Sequence, residues 1–436
     1  MIKRATLLTL LISGLGAALS PRAFAEIAVL KTDSAEVELG GMIQVLGLAQ
    51  HLSDPYKDDD RAYLFMNRAR LRMSGRYDDI WFHTELGLGG EDAVVATTGV
   101  SLGLLDFVFD IPLFHSRTTY LKVGQFKVPY GREQLTYEAN LQFADRSIDN
   151  LGFLVGRDVG VALVSHPGLL TLIGGVFTGG GRDVPPNHYL PEKLGVPLLA
   201  ARAGFGDVDV DPFVLAQDDE GNPDRRRRGA IFVNGLYTKD TLIGHSTVLN
   251  VKLADKSLLL DPDWNPYIGR APLQQGTWWQ IGGDVAGRLP VRAVDFSGEA
   301  AIDFAKYSND YGSVQMWGAR AQGGVSIRTF ELAVRYACLA PDSKFSYMTV
   351  PLTGSQMIQE ITPSAIWFIR GQALKLLADL PIIINDPVFT EAGVGSYAAS
   401  DLPDQATILA TMGVPTGNTV ARQNVFQARL QLQAQF

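Results

Sequence analysis

From Asn424 to Phe436 the chain reads NVFQARLQLQAQF, and the residues alternate. Read with a period of two, Phe426, Ala428, Leu430, Leu432, Ala434 and Phe436 fall on one face of a β-strand, and Gln427, Arg429, Gln431, Gln433 and Gln435 on the other. Sixteen stretches of the sequence read as strands in this way: 36–50, 63–78, 80–90, 100–111, 117–128, 154–166, 169–180, 226–238, 242–254, 276–289, 291–307, 313–328, 329–340, 357–369, 371–380 and 423–436. Their connections alternate in length. Minimal turns at Asp78-Asp79, Pro167-Gly168, Lys239-Asp240, Leu289-Pro290, Arg328-Thr329 and Arg370-Gly371 are separated by longer polar loops rich in Gly and Pro. A soluble sandwich has no reason to sort its turns by length, whereas an outer-membrane barrel has short periplasmic turns and long extracellular loops.

The two faces of the strands agree with a barrel. Between residues 68 and 77, Ala69, Leu71, Met73 and Tyr77 alternate with Arg68, Arg70, Arg72 and Arg76. An arginine facing lipid near the midplane costs ~2–4 kcal/mol, so four on one strand must face a wet lumen. Similarly, Trp317, Ala319, Ala321, Val325 and Ile327 oppose Arg320, Gln322, Ser326 and Arg328, and Val294, Phe296, Ile302 and Phe304 oppose Asp295, Ser297, Glu299 and Asp303. The expected fold is all-β: a transmembrane antiparallel up-and-down barrel of about 16 strands, closed because lipid cannot satisfy an open sheet edge.

The start of the chain, MIKRATLLTLLISGLGAALSPRAFAEIAVL, has the charged, apolar and small-residue order of a secretory signal peptide. Residues 1–25 are expected to be removed after Ala25, leaving 26–436 as one barrel domain without a linker or repeat. Removal takes Lys3, Arg4 and Arg22 from the 38 basic residues, leaving 35 against 46 acidic ones and a formal net charge of −11. That balance argues against a nucleic-acid partner. The lone Cys338 has no partner for an internal disulfide.

Several segments resemble the phosphate-selective porin O and P family: NRARLRMSGRYDD (67–79), YLKVGQFKVPYGREQL (120–135), ADRSI (144–148), GRDVGVAL (156–163), FELAVRYA (330–337) and the closing strand. The most specific is VGQFKVPYG, which in the family leads from the fifth strand into a loop that folds back and narrows the pore. The resemblance implies a sixteen-stranded channel, usually a homotrimer in the outer membrane of a Gram-negative bacterium. It also implies diffusion of small anions past an arginine ladder with lysines at the narrowing. Carried onto this sequence, the anion pathway would use Arg68, Arg70, Arg72 and Arg76, with Lys127 and Arg132 at the entry to a constriction loop over 129–153, and the lumen-facing Arg320 and Arg335. Arg68 to Arg76 spans eight residues, or about 20 Å of the pore axis at ~3.3 Å per residue and a strand tilt of ~40°.

Two readings of the arginine row stay open: a ladder that holds anions by bidentate hydrogen bonds, or one basic wall facing an acidic one in a general diffusion pore. Asp295, Glu299 and Asp303 on the lumen side and the net charge weigh on phosphate selectivity. DRRRRG (224–229) reads either as an anion funnel or as a junction binding lipopolysaccharide phosphate, and TGGGRD (178–183) as a flexible loop without a nucleotide-site Lys. An enzyme is not expected. The six histidines scatter over loops and strand ends, and His83 near Glu85 reads as a wall pair. No metal-ligand spacing or cofactor motif is present. Expected partners are outer-membrane lipid and lipopolysaccharide, small anionic solutes and two further copies of the chain.

Overall fold

A computed structural model describes residues 27–53, 59–90, 92, 94–96, 99–114, 116–179, 181, 195–206, 227–239, 276–309, 312–341, 346–347, 350–351, 357–387 and 422–436. The strands are β1 (Ile27–Lys31), β2 (Ala35–Ser53), β3 (Asp59–Tyr77), β4 (Ile80–Gly90), β5 (Gly103–Leu113), β6 (Ser116–Lys127), β7 (Arg157–Ser165), β8 (Leu170–Phe177) and β9 (Val196–Gly206). They continue with β10 (Arg228–Lys239), β11 (Thr277–Val291), β12 (Val294–Asn309), β13 (Gly312–Ile327), β14 (Phe330–Pro341), β15 (Ile358–Arg370), β16 (Leu374–Asp379), β17 (Ile382–Pro387) and β18 (Arg422–Gln435). From β2 onward each strand pairs antiparallel with the next, and β18 returns to β2 from Met42–Gln435 to Ser53–Asn424. Strands β16 and β17 are two halves of one stave, since both pair with β15 on one side and β18 on the other. The result is a closed 16-strand barrel.

Closure is finished by the last residue. Gly41 N donates to the Phe436 carbonyl at 2.6 Å, and Phe436 N donates to the Gly41 carbonyl at 2.9 Å. The Phe436 ring lies so close over Gly41 that an added Cβ would sit 2.7 Å from it. β1 pairs with the start of β2, in line with and just beyond the end of β18.

Burial follows the alternation. In β14, Leu332 is 66% exposed and Arg335 is 0% exposed. In β18, Gln427, Arg429, Gln431 and Gln433 are buried in the interior, and Phe426 and Leu430 are exposed on the outer wall. A bulge in β3, where Gln44 opposes Arg68 and Val45 opposes Met66, turns both Asn67 and Arg68 inward. The tight turns place Asp78, Arg292 and Arg328 at φ of 51°, 55° and 54°. That left-handed backbone is the one two-residue hairpins require, here taken by residues other than glycine.

The structure departs from the sequence pattern in several places. Residues 196–206 form β9, which the alternation rule passed over because LLAARAGFG has small residues on both faces. The stretch 242–254 lies outside the described residues. β10 and β11, the strands on either side of it in sequence, pair directly over Arg228–Arg288 to Lys239–Thr277. Lys239 therefore ends a strand at the long-loop rim, beside Val196, and Lys239-Asp240 is not a short turn. Where the sequence pattern leaves one gap between 169–180 and 226–238, there are accordingly two connections, 178–195 and 207–227, at opposite rims. The expected strand 371–380 is β16, and its stave continues as β17 past a break at Leu380-Pro381, where proline has no N–H to give to the ladder.

Two outcomes follow. An epitope inserted in 240–276 should be labelled on intact cells together with one in 388–421, while one in 207–227 should be silent until the membrane is opened. Labelling of the 207–227 site on intact cells would invert the topology. Deleting Phe436 should lower the yield of heat-modifiable, assembled barrel on a gel without changing the single-channel conductance of molecules that assemble.

Candidate functional site

The connection between β6 and β7 folds into the barrel. Its neck is closed by Val128 N donating to the Gly156 carbonyl at 3.0 Å. Gly131 takes φ 69° to turn the chain inward into α1 (Arg132–Leu135). A single 3-10 turn at Glu138–Asn140 and α2 (Ile148–Phe153) follow, the latter capped by Ser147 Oγ accepting from Asn150 N at 3.2 Å. The bounds agree with the loop expected over 129–153.

Wall side chains hold this loop at many points. Tyr130 OH donates to Asp303 at 2.6 Å, and Gln280 Nε2 donates to the Phe153 carbonyl at 2.9 Å. Ala144 N donates to Asp379 at 2.9 Å, and Ile148 N to Glu360 at 2.9 Å. Lys375 Nζ reaches the carbonyls of Ala139 and Leu141 at 2.6 and 3.1 Å. A buried ammonium is thereby solvated by backbone oxygens of the loop.

The expected pathway residues lie on the inner face, and most of them are neutralised. Arg70 is 2.6 Å from Asp92, 2.6 Å from Glu138 and 3.3 Å from Glu85. Glu138 also accepts Lys127 at 3.2 Å and Arg146 at 2.7 Å, and Arg157 joins Glu85 at 3.3 Å and Asp106 at 3.0 Å. Four cations thus meet four carboxylates: Arg70, Lys127, Arg146 and Arg157 against Glu85, Asp92, Asp106 and Glu138. Burial alone would raise the Glu138 carboxyl, but Arg70 first and then Lys127 and Arg146 hold it well below the ordinary carboxylate range.

A second web is equally balanced. Arg132 meets Glu299 at 3.1 Å, and Arg320 meets the same Glu299 and, at 3.2 Å, Glu133. Arg335 meets Glu133 at 3.2 Å and Glu360 at 2.5 Å, its guanidinium 4.3 Å from the centre of the Phe143 ring. Arg68 pairs with Asp145 at 3.3 Å. Arg72 lies 5.6 Å from the centre of the Tyr137 ring, and Arg76 donates to the Asp78 carbonyl at 2.7 Å and stands opposite Glu36 across the β2–β3 pair. Further wall pairs join Arg202 to Asp284, Arg288 to Asp295 and Arg429 to Asp379.

The acidic face of β12 is therefore the counter-charge for the arginines rather than a wall opposed to them. Between loop and wall a cavity of about 20 Å³ is lined by Glu133, Asn140, Gln142, Glu299 and Gln322 among others. The partners absent from the expected set include three carboxylates of the loop itself, Glu133, Glu138 and Asp145, together with Asp92, Asp106, Glu360, Asp379 and Lys375. Period-two alternation marks Glu360 and Lys375 as inward, but nothing marks the irregular loop residues.

Residues 47–191 match the family model of phosphate-selective porin O and P. No curated protein matches the sequence. Among solved structures the outer membrane channel DcaP of Acinetobacter baumannii is similar at 13% identity, covering 94% of this chain and 100% of that chain with a TM-score of 0.51. OmpT of Vibrio cholerae in its trimer form is 8% identical over 92% of this chain and 100% of its own, at a TM-score of 0.49. OprB of Pseudomonas putida is 11% identical over 92% and 94%, also at 0.49. The family match and the porin fold support an outer-membrane channel.

Removing one partner from the second web should be costly. Arg335→Met leaves Glu360 and Glu133 buried without their cation and is expected to lower barrel stability by ~3–5 kcal/mol. The measurement is the midpoint of thermal unfolding in detergent. A midpoint equal to that of the parent would show that water replaces the guanidinium at no loss.

Proposed function

We propose that the protein is an outer-membrane diffusion channel through which small polar solutes pass between the constriction loop and the barrel wall, rather than an enzyme. The observation that carries this reading is the charge balance of the interior. Arginines Arg68, Arg70, Arg320 and Arg335 are each tied to loop or wall carboxylates, so little positive field remains to favour anions. Residues 1–25 as a cleaved export signal, contact with lipid and lipopolysaccharide, and a homotrimer belong to the same reading and rest on the leader pattern and the family resemblance.

A second reading, passage of small anions such as phosphate, is favoured by Arg72 and Arg76. They continue the inward face of β3 toward the short-turn rim, away from the two webs around the loop, with Arg72 against the Tyr137 ring and Arg76 opposite Glu36. Single-channel recording in asymmetric KCl separates the two. The balanced interior is expected to give a chloride-to-potassium permeability ratio close to unity and no block by phosphate. Anion selectivity together with phosphate block, both lost in Arg72→Gln/Arg76→Gln, would establish the anion pathway instead.

A further inference from the structure

Three consecutive hairpins at the short-turn rim each place an arginine at the turn: Arg292 between β11 and β12, Arg328 between β13 and β14, and Arg370 between β15 and β16. All three are exposed. With neighbouring strands ~4.8 Å apart, successive hairpins put them about 10 Å from one another along an arc of the rim. Arg292 and Arg328 occupy φ of 55° and 54°, a conformation that favours Gly or Asn, so the turn geometry itself gives no reason for arginine. Elsewhere on the same rim lie the turns Asp78-Asp79 and Pro167-Gly168, the connection between β5 and β6, and the connection 207–227.

The outer wall above the arc is apolar and carries aromatic residues close to the rim. Phe296, Phe330 and Trp367 are 45%, 56% and 44% exposed, and the rings of Phe330 and Trp367 stack at 5.9 Å. Among the described residues of β11 to β16, no carboxylate faces outward. Asp295 and Glu331, at the level of the arc, are buried in the interior. Apolar staves, a belt of aromatic rings and then a row of guanidinium groups match, in order, the acyl chains, interface and phosphates of a lipid leaflet. A guanidinium offers a phosphate two parallel hydrogen bonds.

We propose that this arc binds the anionic headgroups of phospholipids in the leaflet that meets the short-turn rim, an inference that rests on reading the chain as an outer-membrane channel. The test uses the full barrel in vesicles of phosphatidylcholine with a minor share of phosphatidylglycerol, followed by native mass spectrometry of the lipids that leave with it. The parent barrel is expected to carry phosphatidylglycerol in excess over its share in the vesicle, and the excess should fade as KCl is raised. Arg292→Asn/Arg328→Asn/Arg370→Gln removes the charge while Asn suits the positive φ. It is expected to lose about fivefold of the enrichment per arginine.

Lys306→Gln, at the opposite rim, should leave the enrichment unchanged. Equal enrichment in parent and triple variant overturns the proposal. So does efficient crosslinking of Trp367→Cys between two copies, which would make this face a protein interface. If the triple variant does not assemble, Arg292→Asn and Arg328→Asn read singly decide the matter, because each leaves the rest of the arc in place. Conductance recorded from the same vesicles reports separately on whether the barrel is a channel.

Discussion

A charge inside a lipid-embedded barrel must find either water or a counter-charge, and the organisation of this interior follows from the second solution. Arg335, fully buried, holds Glu133 of the loop and Glu360 of the wall together. Arg70 does the same between Glu138 of the loop and Glu85 of the wall. The loop is thus the missing half of the lumen's charge pattern, and its place in the barrel is set by where the guanidinium groups lie on β3, β13 and β14. Taking a charge from either side leaves its partner stranded in a medium of low polarity, which is far more costly than losing a surface pair.

This arrangement separates two properties that a row of arginines suggests at once. Position inside the barrel is a matter of solvation, and seven of the eight expected residues have it on the staves while Arg132 has it on the loop. Availability to a passing anion is a matter of what already occupies the guanidinium, and for six of the eight a carboxylate does. The balance also explains why an acidic chain can carry a strongly basic strand.

The barrel was legible in the sequence because lipid on one side and polar groups on the other impose a period of two that survives along most staves. The strand count was correct for an accidental reason. The alternation marks 242–254 and does not mark β9, so the sum holds while Lys239-Asp240 falls at the wrong rim. Small residues on both faces of β9, such as Ala200, Ala201 and Ala203, carry no alternation to detect. The inward face of β3 and the start of the loop at VPYG were readable from local pattern. The partners of Arg70 and Arg335 were not, because pairs such as Arg335 and Glu133 join residues 202 positions apart, one of them in a segment without periodicity.

The seam where β2 meets β18 fixes the order in which the barrel can be completed. Gln44 and Gln433, hydrogen-bonded across it at 2.8 Å, are 389 residues apart, so their contact closes nearly the whole chain into one ring. Closing so long a loop is entropically the most demanding step of the ladder, and every other stave can zip to its sequence neighbour before it. Until then both seam strands expose a row of unpaired peptide groups, which lipid does not satisfy and another open sheet would. The carboxy-terminal Phe436, bonded to Gly41 in both directions, thus acts as the clasp that removes the chain from the aggregation-prone stage of its own assembly.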